Sequence, residues 1–361
     1  MKICYIGDAH NLHIQRWISY FAEKRYEVHL ISYVHGVVEN VKVHALTNKI
    51  SYLSLISRIF DFRKLLKKIK PDILHAHAIG IDCFCGALTK FHPFIVTLMG
   101  SDILIYPKKS GLVRWITKYV LRKADLITCD GENMKEEMIN MGINPNKIGT
   151  VYHGVNLKLF NPKQKNEKLK EDLKIYNSPI VVSTRTLTLI HDIWTTIKSI
   201  PLVLKEVPDT KFIIVGRGKT RLHEELAKSL GILDNIRFIG LVQHHELPKY
   251  LASADVYVST SLSDGGIAVS TLEAMACELP VVVTDSGDNK KWIKDGENGF
   301  VVPIKDPKSL AEKIVYLIKK EDARKRFGKL NRKMVEEKAE YYKEMEKMDK
   351  LYRELITRFK K

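Results

Sequence analysis

The chain has 361 residues, 45% of them apolar, with 20 Gly and 12 Pro. That composition excludes a disordered or collagen-like protein and suits two domains of ordinary size. The formal charge is +17, and residues 1–165 carry 24 Lys and Arg against 13 Asp and Glu, so +11 of the excess sits in the first half. An anionic partner is expected there: lipid head groups, an acidic acceptor or nucleic acid.

The Cys at positions 4, 83, 85, 129 and 277 form an odd, scattered set. Cys83 and Cys85 have no second pair at zinc spacing, so buried free thiols in a reducing cytosol are expected, and no metal site. No run of about 18 apolar residues predicts a membrane-spanning helix. A strand starting at residue 3 leaves no room for a signal peptide. The expected place is the cytoplasm, with peripheral contact to the inner face of the membrane as an extension.

Residues 3–7, 28–32, 41–45, 73–76, 94–98 and 126–129 read as strands, and 14–24, 56–70, 113–123 and 134–141 as helices. This alternation predicts a parallel sheet with helices on both faces. Ligands of such sheets sit at the carboxyl ends of strands, which selects the loops after Ile6, Leu74 and Leu98. His10, His13 and Arg16 in the first loop are candidates to reach a cleft, with capping and solvation of a helix start as the alternative. The run from Asp72 to His77 ends in alternating His75 and His77, of which one is expected to face the sheet and the other the cleft. Thr97 to Asp102 follows the next strand. Residues 56–70 and 106–123 hold the basic charge, the first with Arg63, Lys64, Lys67, Lys68 and Lys70, the second with Trp115 and Tyr119 among its cations. They fit either a core stripe with a solvated Lys face or helices lying on an anionic membrane.

Residues 161–177 are rich in Lys, Asn and Glu and read as a linker. The alternation restarts with strands at 180–183, 212–215, 236–239, 256–259, 281–284 and 300–302. Arg185 follows the first of these and offers a bidentate fork for phosphate, with a surface salt bridge as the alternative. Gly216 and Gly218 form a lone Gly-x-Gly, weak evidence by itself. After the 256–259 strand comes a Gly-rich turn, then a helix expected to open near Ile267. Such a turn is an anion site in principle, because it aims backbone N–H groups at the ligand. Gly265 and Gly266 would let phosphate approach, and Glu273, one or two turns in, suits sugar hydroxyls. Glycines that only make the turn are the alternative. Residues 309–320, 322–338 and 341–361 are helical, and Met345, Met348, Leu351, Tyr352, Leu355, Ile356 and Phe359 are spaced for docking.

Asp264-Gly265-Gly266, followed by Leu272-Glu273-Ala274-Met275-Ala276-Cys277 and Pro280-Val281-Val282, resembles the donor-site signature of the GT-B retaining glycosyltransferases called group 1 or family 4. The resemblance implies two doubly wound, Rossmann-like α/β domains facing a cleft. The acceptor-side domain would span residues 1–162, rejoined by the helix 342–361, and the donor domain residues 163–341. It further implies retaining, metal-independent transfer from a UDP-, GDP- or ADP-sugar to a lipid-linked, glycan or small-molecule acceptor, without a cofactor. Arg185, Asp264 and Glu273 would be catalytic, with Glu273 on the ribose and Asp264 toward the sugar. His191, Gly216, Gly240, Leu241, Val242, Gly265, Gly266, Ile267, Ala268, Val269 and Ser270 would complete the donor site. His10, His13, Arg16, His77, Gly100 and Asp102 would line the acceptor side.

The chain departs from the family pattern in several places. The earlier acid normally stands eight residues before Glu273, where Gly265 stands; Asp264 is nine before. Met99 occupies a frequent His position, and Ile190 a frequent Lys position, with His191 next to it. Two other readings stay open. One is a sugar-nucleotide-binding protein without transfer. The other is a nucleic-acid binder, against which the basic residues do not interleave with a stacking platform; no nucleic acid is expected.

Overall fold

The computed structural model of the chain describes residues 1–46 and 52–360, the side chains of residues 52–54 excepted. It divides into two units. One comprises residues 1–153 with the last helix from Tyr342 onward; the other runs from Gly154 to Tyr341.

The first unit runs β1 (Lys2–Ile6), α1 (Leu12–Glu23), β2 (Glu27–Ser32), β3 (Lys42–Ala45), α2 (Tyr52–Ile69), β4 (Ile73–His77), α3 (Ile81–Leu88) and β5 (Phe94–Thr97). It continues through α4 (Ser101–Leu104), α5 (Tyr106–Lys109), α6 (Gly111–Lys123), β6 (Leu126–Cys129), α7 (Glu132–Asn140) and β7 (Ile148–Thr150). All seven strands are parallel, in the order β3-β2-β1-β4-β5-β6-β7. Helices cover both faces, so β4 and β5 are buried along their whole length, and β5 reads as a near-continuous apolar run. The Asn11 side chain accepts from the N–H groups of His13 and Ile14 and so starts α1, whose Ile14, Trp17, Ile18 and Phe21 recur at helical spacing and are buried. Winding proceeds from β1 toward β3 on one side and from β4 toward β7 on the other. The carboxyl ends of β1 and β4 therefore flank the switch point of the sheet.

The second unit opens with α8 (Glu167–Asp172), β8 (Ile180–Ser183), α9 (Ile193–Glu206), β9 (Lys211–Val215), α10 (Arg221–Ser229), β10 (Ile236–Gly240), α11 (Leu247–Ala252) and β11 (Val256–Ser259). It closes with α12 (Val269–Ala276), β12 (Val281–Thr284), α13 (Asn289–Trp292), β13 (Gly299–Val302), α14 (Pro307–Lys319) and α15 (Glu321–Lys338). Its six parallel strands run β10-β9-β8-β11-β12-β13, with the switch between β8 and β11. The fold is GT-B: two parallel-sheet α/β units, each doubly wound. The polar stretch 161–177 belongs to this unit rather than linking it to the first. Ile175 is buried, and the Asn166 N–H donates to Ser253 Oγ at 2.9 Å. Polar composition misleads here because α8 lies on the surface, held by a few contacts.

The last helix, α16 (Tyr341–Lys360), buries Met345, Met348, Tyr352 and Leu355 in the first unit. Tyr352 hydroxyl lies 3.1 Å from that of Tyr5 and 2.5 Å from His75 Nδ1, and Asp349 accepts from Tyr26 hydroxyl at 2.7 Å. Lys361, included in the expected helix, lies outside the described residues.

Candidate functional site

In the second unit the loops after β8 and β11 meet beside the start of α12. Arg185 follows β8. Its Nη2 donates to Asp264 Oδ1 and its Nη1 to Ser270 Oγ at 3.1 Å, so one guanidinium bridges the Gly-rich turn and the first turn of α12. Both members of the ion pair are nearly buried, their side chains 10% and 9% exposed. Ser270 is fixed from below by Tyr257 hydroxyl at 3.0 Å.

The helix opens later than the sequence suggests. Gly266 has φ +62 and turns the chain, Ala268 is extended, and α12 begins at Val269. Ile267 and Ala268 are buried parts of the turn. Thr271 and Leu272 N–H groups already bond to Ala268 carbonyl, so Val269 and Ser270 are the residues whose N–H groups precede the helical ladder. The turn has an anvil that the sequence did not reveal. Gly287, after β12, has φ +59 and lies so close that a Cβ there would stand 2.1 Å from Gly266 carbonyl oxygen, while Asp288 N–H donates to that same oxygen at 2.8 Å. Gly265 stays half-buried within the turn.

Glu273 is buried on α12, and His244 Nε2 meets its Oε1 at 2.7 Å. His244 rests against Phe160, ring centroids 5.1 Å apart. Sequence reading missed His244: it comes from the segment after β10, and no spacing relates it to Glu273. Gly240 ends β10 with φ +78, its carbonyl accepting from Gly216 N–H; Leu241 is exposed and Val242 half-buried. Gly216 is required by close approach, since a Cβ would meet Arg185 carbonyl oxygen at 2.5 Å. His191 Nδ1 faces Thr186 carbonyl at 3.0 Å and Thr186 Oγ1 at 2.6 Å. Burial first, then the Arg185 charge, pushes His191 down to about 4, so the ring is neutral at pH 7. With Nδ1–H donated to the carbonyl, Nε2 carries the lone pair.

In the first unit His75 and His77 lie on the same side of β4, ring centroids 4.4 Å apart. The expectation that they face opposite ways is corrected by the pleat, in which residues two apart share a face. His75 is tied to Tyr352 and to Thr97 Oγ1 at 2.7 Å, whereas both ring nitrogens of His77 are buried without a hydrogen-bond partner among the described residues. The His13 ring lies tilted against His153, centroids 4.9 Å apart, Arg16 is half-buried on α1, and His10 is exposed, its N–H on Asp8 Oδ1 at 2.8 Å. Gly100, φ +104, caps α4. Asp102 is buried, its carboxylate accepting from the N–H groups of Ile79 at 2.9 Å and Met99 at 3.1 Å. Burial raises its pKa while those N–H groups oppose the rise. Asp102 thus clips the loops after β4 and β5 together.

Comparison with known proteins fits this geometry. Residues 164–334 match the family model described as glycosyl transferases group 1, and residues 2–131 the model described as glycosyl transferase 4-like. The N-acetyl-alpha-D-glucosaminyl L-malate synthase of Bacillus anthracis is 24% identical over 93% of this chain and 91% of its own length. The UDP-Gal:alpha-D-GlcNAc-diphosphoundecaprenol alpha-1,3-galactosyltransferase of Escherichia coli is 26% identical over 79% and 76%. Among solved structures, HepE of Anabaena in complex with UDP superposes with a TM-score of 0.85 at 18% identity, covering 98% of this chain and 100% of that one.

Proposed function

Because the chain belongs to the group 1, family 4-like glycosyltransferases, we propose that it moves a sugar from a nucleoside-diphosphate sugar to a hydroxyl acceptor with retention of anomeric configuration. The observation that carries this reading is the Arg185 bridge between Asp264 and Ser270, at the opening of α12 with Glu273 one turn deeper. On this reading Arg185 and the N–H groups of Val269 and Ser270 stabilise charge developing on the departing diphosphate. Glu273, oriented by His244, accepts from the two ribose hydroxyls. Asp264 exchanges its contact with Arg185 for one with the sugar. The departing phosphate oxygen takes the acceptor proton, so the step needs no protein base, cofactor or metal ion.

The donor base is a choice among uracil, guanine and adenine, and the UDP bound in HepE supports uracil. For the acceptor, the lipid-linked substrate in the name of the E. coli relative and the surface of the first unit support a substrate at an anionic membrane. Helix α3 packs between α2 and α6. Arg63, Lys64, Lys67 and Lys68 of α2 are exposed, as are Leu112, Trp115, Arg122 and Lys123 of α6, with Phe84 of α3 against Trp115 and Tyr119. Exposed Trp and Leu beside cations suit the interface of a bilayer. No helix among the described residues is long and apolar enough to cross one. The place proposed is the cytoplasmic face. Co-sedimentation with anionic vesicles but not neutral ones is expected; equal partition into both sinks the membrane reading.

Binding without transfer is the rival. The neutral His191 favours it, since it supplies no second positive charge beside Arg185. A thermal-shift screen of UDP-, GDP- and ADP-sugars identifies the donor. Proton NMR of the product then reads the anomeric configuration, with and without EDTA. Inverted product, or activity abolished by EDTA, refutes the corresponding part of the proposal, and donor binding without hydrolysis or transfer to acceptor extracts selects the rival.

A further inference from the structure

At the switch point of the first sheet, beyond the carboxyl ends of β1 and β4, the unit holds an open cavity of about 390 Å³. That is within the range of small-molecule sites, about 300–1,000 Å³. Of the acceptor-side residues brought forward from the sequence, only His77 lines it. The other polar walls are Asp8, Asn11, Tyr33, Arg58 and Asp82. Arg58, a buried residue of α2, holds its Nε 2.9 Å from Asp82 Oδ1 at the start of α3, without hydrogen-bond alignment between the two atoms. Asp8 receives the Tyr33 hydroxyl at 3.0 Å. His77, 4% exposed, lines the cavity while its ring packs against Tyr5, Trp17 and His75 with both nitrogens buried.

These groups define a ligand class. Among the described lining residues one cation faces two carboxylates, so the cavity is net negative, and a phosphate or carboxylate entering it meets like charge. Hydroxyls meet the opposite situation. Carboxylates accept from them, and the guanidinium donates to them. Ile79 and Ile81 supply apolar wall for the C–H face of a ring. We propose that this cavity binds an uncharged sugar unit of the acceptor, with Asp82 on its hydroxyls and Arg58 positioning Asp82. That the sugar belongs to an acceptor rests on the transfer reading above; the sugar site itself does not.

Saturation-transfer NMR on the full chain tests the site, with UDP present to occupy the nucleotide-binding unit. The probes are the methyl glycosides of glucose, galactose, mannose and N-acetylglucosamine, against methyl glucuronide and methyl galacturonide. At least one neutral glycoside is expected to receive saturation, and the uronides none. Ile81→Trp, at a residue 41% exposed at the rim, is expected to remove the signal while leaving the UDP-induced thermal shift intact. Asp82→Asn removes one negative charge and frees Arg58. It is expected to raise uronide binding relative to neutral glycoside by roughly tenfold or more, the scale of a close charge interaction. Silence from every neutral glycoside, equal binding of uronides to the unmodified chain, or a signal that survives Ile81→Trp overturns the proposal. If UDP binds and the glycosides do not, this site fails while the nucleotide site stands. If glycosides bind and UDP gives no thermal shift, the sugar site stands and the nucleotide site fails.

Discussion

Lowering the pH from 7 to 5 is expected to destabilise the first unit well before the second. Its His75, His77 and His153 are buried. Burial pushes His75 down to about 3. His77 is lowered by burial and then by His75, and His153 by burial and then by His13, His77 and Arg16. In the unfolded chain each titrates near 6.5. A folded value below the unfolded one gives stability that is complete above about pH 6.5 and drains away as the pH falls toward the folded value. His75 costs about 2 kcal/mol between pH 7 and 5, and the losses from His77 and His153 add to it in the same direction. Against the whole stability of a domain, about 5–15 kcal/mol, that is a large share. The second unit has His191 at about 4 and His223, lowered by burial, and loses less. Hydrogen exchange read by mass spectrometry separates the units. Protection of β1, β4 and β5, corrected for the intrinsic rate, should collapse toward pH 5 while β8 and β11 keep more of theirs. Equal protection of β4 at pH 7 and 5 refutes the argument, because it requires those imidazoles to be charged or hydrated in the native state.

Three further outcomes follow from the proposed donor site in the second unit. Glu273→Ala removes a buried carboxylate whose proposed hydrogen bonds to the ribose hydroxyls would be worth about 1.5–3 kcal/mol, so UDP affinity should fall roughly 10–100-fold by calorimetry with the melting temperature of the free protein nearly kept; unchanged affinity counts against the site. His244→Ala leaves that carboxylate without its 2.7 Å partner, and should both weaken UDP binding and lower the free protein's melting temperature. Loss of stability alone would make His244 merely structural. Gly287→Ala drives a Cβ against Gly266 carbonyl oxygen at a left-handed backbone position, and should cost UDP binding more than it costs the second unit's protection in hydrogen exchange; a variant that binds UDP normally means the turn tolerates displacement.

Much of this protein was legible in its residues because parallel strands buried on both faces leave unmistakable apolar runs, and each site loop follows one of them. The strands before Gly7, Arg185 and Asp264 are of this kind, and their loops hold candidate groups where the carboxyl-end rule puts them. Short or half-exposed elements left no such trace. Strand β7, three half-buried residues, and helix α8, inside a polar stretch, went unnoticed or were taken for linker. The pairing of His244 with Glu273, the support of Gly266 by Gly287, the bond from the Ile79 amide to Asp102, and the meeting of Arg58 with Asp82 all join residues far apart in the chain. Local sequence carries period and turn chemistry, which depend on neighbours. Which buried charge meets which partner depends on how the helices settle on the sheet, and that was decided only by packing.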